Sequence, residues 1–88
     1  MSGVIADPEK LRQFAKALST SADQLQQIAR SMARALENSG WDDSERQRFE
    51  QDYKQTVRML SQFTEKLKSQ YIPTVQKKAS ALEQYRRS

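Results

Sequence analysis

Between Leu11 and Leu36 the apolar residues fall on two interleaved seven-residue series: Leu11, Leu18, Leu25 and Met32, and four places behind them Ala15, Ala22, Ala29 and Leu36. A repeat of seven with steps of four and three marks a helix that lays one stripe along another helix. One series is bulky and the other mostly alanine. A partner helix should therefore come close along the alanine edge, where little side-chain bulk holds the backbones apart. Phe14 and Ile28 widen the stripe on one flank.

The ends of this helix are legible as well. In ADPEK, residues 6–10, Asp7 suits the N-cap and Pro8 the first helical position, where its missing N–H costs nothing. Glu9 falls in the first turn, where the helix dipole favours an acid. Gly40 is the natural left-handed residue to end the helix. These signals predict helix 1 over about 8–37 and a turn over 38–43.

Asp42, with Glu45 three places on, resembles a capping box that opens a second helix. Phe49, Tyr53, Thr56, Leu60, Phe63 and Leu67 then keep to one face at steps of three and four. The two stripes predict an antiparallel hairpin. About 30 residues at roughly 1.5 Å each make helix 1 on the order of 45 Å long, and the same count from Ser44 ends at Pro73. A proline within a helix removes one hydrogen bond and clashes with the carbonyl four residues back. Helix 2 is thus expected over about 44–72, followed by a kinked or flexible tail over 73–88. On a regular helix Val75, Ala79 and Leu82 are rotated away from the Phe49-to-Leu67 face, toward some other partner.

A chain of 88 residues makes one domain, 1–88, and is too short for a large core of its own. It has no cysteine and no histidine, so disulfides and the usual transition-metal ligands are missing. A partner chain is the remaining support. The fold class expected is all-α: an antiparallel two-helix hairpin dimerising into a four-helix bundle, as a homodimer or as a heterodimer with a related hairpin protein. The core and dimer seam should comprise Leu11, Phe14, Leu18, Leu25, Ile28, Met32, Leu36, Tyr53, Leu60, Phe63 and Leu67. Catalysis is not expected: His, Cys and a glycine-rich phosphate loop are all missing, and the acids read as caps and as surface pairs such as Glu50 with Lys54. No cofactor or metal is implied. No segment approaches the roughly 20 apolar residues of a membrane span, and MSGVIADPEK has no signal-peptide pattern. Synthesis in the cytoplasm is expected, with any export by a route that does not read a classical signal.

Two long helices, a short turn bearing Trp41, an aromatic eight residues later at Phe49 and a tyrosine near the C-terminus at Tyr85 resemble the Trp-x-Gly (WXG) family of small type VII secretion proteins, the early secreted antigenic target type. The opening DPEKLRQFAKAL is similar to the start of many members. Where the family has glycine two places after the tryptophan, this chain has Asp43, and its glycine is Gly40. Of the family's export mark, Tyr followed four places later by an acid, this chain has only the tyrosine, Tyr85, with Arg86, Arg87 and Ser88 after it and no acid at the fourth place. The resemblance implies an exported substrate or a dimeric partner of a larger effector, with a secretion ATPase among its contacts. A cytoplasmic helical adaptor that shares the fold and stays in the cell is the alternative.

Two readings of Trp41 stand side by side. The ring either folds over the end of the bundle as a lid or presents a half-exposed anchor to a partner; one residue can do both. The charge raises a rival class. Residues 1–53 carry 7 basic and 9 acidic side chains and residues 54–88 carry 8 and 2, so the net +4 lies in the C-terminal part. Lys77, Lys78, Arg86 and Arg87 are able to touch nucleic-acid or lipid phosphates. At about 100° per residue, however, Lys54, Arg58, Lys66, Lys68, Lys77 and Lys78 spread over more than half the helix circumference. A solvated face is the expectation, and no specific nucleic acid.

Overall fold

The computed structural model describes residues 6–87. They form α1 (Pro8–Asn38), α2 (Ser44–Lys66), a π-helical turn (Leu67–Tyr71) and α3 (Ile72–Arg87), with no strand among the described residues. The fold is an all-helical hairpin: α1 is one arm, and α2, the π turn and α3 run on as the other. Asp7 caps α1, its carboxylate accepting from the Glu9 amide at 2.9 Å, and Pro8 opens the first turn. Gly40 ends α1 with φ +70°, a conformation a side chain resists.

The cap of α2 corrects the sequence reading. Asp43, not Asp42, has extended backbone (φ −129°, ψ −178°), and its carboxylate accepts from the Arg46 amide at 3.1 Å. An N-cap side chain serves the amide three residues on, so the residue that caps is the one just before the helix turns, whichever acid precedes it.

The expected end of helix 2 near residue 72 is also corrected. The second arm passes Pro73 without breaking and stays helical to Arg87. The π turn does this by letting the Ile72 amide reach back five residues to the Leu67 carbonyl. Apart from the charged Arg46, Glu50 and Glu83, the shielded positions of this arm are Tyr53, Val57, Leu60, Thr64 and Leu67, then Ile72, Val75, Ala79 and Leu82. Their spacing is four or three throughout, except for one step of five from Leu67 to Ile72, across the π turn. A π turn holds one residue more than an α turn and over its length takes out roughly 90° of rotation. Val75, Ala79 and Leu82 therefore return to α1 instead of facing a new partner. Thr64 and not Thr56 is the inward threonine; its hydroxyl is satisfied by the Leu60 carbonyl at 2.9 Å.

Among the described residues Ala15, Ala22, Leu67 and Ala79 form the buried apolar core, and Pro8 is buried at the start of α1. The alanine edge of α1 packs most closely on α3, as the small side chains predict. The arms are unequal. At ~1.5 Å per residue α1 is ~46 Å long and the second arm ~66 Å, which matches the 66 Å long dimension of the molecule. Arg12 meets Ser80 and Glu83, so the start of α1 lies near the end of α3 and not opposite Pro73. The excess falls at the turn, where the first turns of α2 overhang the end of α1.

Candidate functional site: the turn and the apolar flank

At the overhang no described helix lies beside the first turns of α2, and Trp41 fills part of that space. The indole is half-buried, its ring 5.3 Å from that of Phe49, which in turn stacks on Tyr53 at 5.4 Å. Its Nε1–H donates to Asp43 Oδ1 at 2.8 Å. The Tyr53 hydroxyl is buried and finds no hydrogen-bond partner among the described residues.

Arg46, which carries no signal in the sequence motifs, fastens this end. Its guanidinium donates to the Trp41 carbonyl at 2.6 Å, to Glu50 at 2.6 Å and to Glu37 at 2.9 Å. One side chain thus joins the end of α1, the turn and the start of α2. The Arg46 hydrogen bond, with Lys54 beside it, holds the Glu50 carboxyl below its ordinary range against the opposing effect of partial burial. A sequence signal for Arg46 does exist in retrospect: an acid four places later, and a position three beyond the cap that points back over the turn.

The hairpin has two unlike flanks. Along one, α1 is tied to the other arm by polar side chains. Glu37 meets Arg46, Asp23 and Gln26 meet Lys68 at 3.4 and 3.2 Å, and Arg12 meets Ser80 and Glu83. At about 100° per residue, Phe14, Ile28 and Met32 lie on the opposite side of the alanine seam from Arg12, Asp23 and Glu37. Phe14, Ile28, Met32, Phe49 and Phe63 are all exposed. A shallow depression of about 230 Å³ lined by Phe14, Leu18, Tyr71, Thr74 and Val75 lies on this second flank.

The expected seam residues divide accordingly. Leu67 is buried, and Leu11, Leu18, Leu25, Leu36, Tyr53 and Leu60 are half-buried between the arms and the flank. Phe14, Ile28, Met32 and Phe63 face outward and touch solvent. Gly40, Trp41, Asp43 and Phe49 gather at the turn, whereas Tyr85, 73% exposed, lies at the far end of the rod. Within one hairpin the turn and the tail do not meet. Several of the basic residues are engaged locally: Lys54 with Glu50 at 3.4 Å, Lys68 as above, and Lys66 with its Nζ 5.7 Å from the Tyr71 ring centre.

Among the described residues no group of acidic side chains is placed to hold a metal ion, and no helix is long and apolar enough to cross a membrane. Compared with protein-family models, with curated proteins and with solved structures, the chain shows no significant match.

Proposed function

We propose that this chain is a small non-enzymatic binding protein of a type VII-like secretion system, an exported substrate or the dimeric partner of a larger effector, and that two hairpins pack flank to flank into a four-helix bundle. The observation that carries the dimer is the apolar flank: Phe14, Ile28, Met32 and Phe63 stand outward on a protein whose other flank is closed by ion pairs. Clustered large apolar side chains in water favour burial at roughly 25 cal/mol per Å², and a second hairpin is the cover that fits a long straight stripe. The link to secretion rests on the resemblance of the helical hairpin with its tryptophan turn to the WXG family. Trp41, half-buried against Phe49, suits a docking anchor. The test is secretion of the tagged protein into the medium, compared between cells with and without the secretion ATPase. Loss of export with the ATPase supports the reading, and export independent of it refutes the secretion part.

A second reading, a helical adaptor that is not exported, draws support from Asp43. This residue stands where the family has glycine and is committed to the helix cap and to the indole. Retention of the protein inside cells whose secretion ATPase is active favours this reading.

A further inference from the structure

We propose that the depression lined by Phe14, Leu18, Tyr71 and Val75 is the seat for Phe49 of a second copy of this chain, so that two hairpins lie antiparallel about a two-fold axis beside Phe63. The inference rests on the dimer reading above and adds its register. Phe49 is a suitable knob because it is 43% exposed and yet held between Trp41 at 5.3 Å and Tyr53 at 5.4 Å. A ring already fixed loses little freedom on docking. The depression is a suitable hole because the π turn brings Tyr71 and Val75 beside Phe14 and Leu18 on the same flank.

Spacing supports the pairing. Phe49 and Val75 are separated along the second arm by roughly 39 Å at ~1.5 Å per residue, and their midpoint falls at about residue 62. An isologous contact in which each knob enters the other copy's hole requires the two-fold axis at that midpoint. Exposed Phe63 is there, and the contact of Gln26 with Lys68 puts Ile28 and Met32 of α1 at the same level. The axis thus passes through apolar residues able to pack against their own copies.

Charge points the same way. The turn region, residues 37–52, has six acids against two bases, a net of −4. The opposite end, residues 7–17 with 74–87, has seven bases against three acids, a net of +4. Antiparallel hairpins set these ends against each other, while parallel hairpins oppose like charges.

The test uses the full chain, in which an introduced cysteine is unique. Sedimentation comes first: a monomer overturns the dimer reading and this inference with it. If the variants are dimeric and helical, a short bis-maleimide should link Phe63→Cys to itself. Asp52→Cys and Thr74→Cys should each fail to self-link and should link when mixed. Self-linking of both Asp52→Cys and Thr74→Cys signifies parallel hairpins and overturns the register alone, as does a dimer in which the mixture fails to link. Phe49→Ala and Thr74→Arg should each weaken dimerisation at least about tenfold, and together by less than the product of the two effects, as partners in one contact do. Independent effects overturn the seat.

Discussion

One carboxylate oxygen of Asp43 serves two donors, the Trp41 indole N–H at 2.8 Å and the Arg46 amide at 3.1 Å. The start of α2 and the orientation of the tryptophan are therefore set by the same atom. Asp43→Ala should cost about 1–2 kcal/mol in urea unfolding through loss of the cap, and should shift the tryptophan emission to the red as the ring loses its tether. Asp43→Gly, which places the glycine of the resembled motif in this chain, should cost only a few tenths of a kcal/mol as a cap and still show the red shift. An unchanged emission in both variants signifies that Phe49 alone holds the ring.

The Arg46–Glu50 pair gives the turn a pH signature. Because the folded state holds the Glu50 carboxyl below its ordinary value of 4.5, its contribution to stability is complete above that pH and fades as the pH falls through the lower folded-state value. Arg46→Gln should lower the melting temperature at neutral pH, and the difference from the parent should shrink in acid. A difference that stays constant across the acid range assigns the loss to the Trp41 carbonyl contact instead, since Glu37, like Glu50, is neutralised in acid.

The π turn holds one residue more than the surrounding α-helix needs. Deleting Ser69 or Gln70, both exposed, should convert the turn to α-helix and leave Val75, Ala79 and Leu82 on α1, with melting lowered by no more than about 5 °C. Deleting Gln55, equally exposed, turns Tyr53 and the residues before it by about 100° relative to Val57 and the residues after it and should lower melting more than either deletion in the π turn. Equal damage from both deletions, followed by circular dichroism, contradicts the register argument.

These elements show what was readable in the sequence. The seven-residue series of α1, its Asp7–Pro8 start and its Gly40 end are local, and local chemistry decides them. The cap of α2 was ambiguous because Asp42 and Asp43 are equivalent in kind, and only the point at which the backbone turns tells them apart. Pro73 marks a local departure from α-helical geometry, but α-helical periodicity alone does not show that a π turn before it lets the arm continue. The step of five from Leu67 to Ile72 is visible in the sequence, and its meaning depends on α1 being there to reward the realignment. Arg46 is legible only in its pairing with Glu50 four places on; the Trp41 carbonyl and Glu37 reach it from two other segments. The exposed flank was half legible: Phe14 and Ile28 mark it on α1, while the unequal arms that leave Trp41 and Phe49 together at the overhang follow only from the packing.

The close approach along the alanine edge is testable on its own. Ala22 has no exposure, whereas Ala33 lies outside the seam. Ala22→Leu should destabilise by about 1–3 kcal/mol through overpacking, and Ala33→Leu should be near neutral. Equal, small effects contradict close packing of the arms at Ala22.

The central claim is that the apolar flank is covered by another hairpin, and the mass of the purified protein in solution tests it most directly. Sedimentation equilibrium at micromolar concentration should give twice the 10.2 kDa of the chain, and Ile28→Asp, on the exposed flank and away from the alanine seam, should give a helical monomer. A parent protein that is monomeric and fully helical, or an Ile28→Asp variant that remains dimeric, contradicts it.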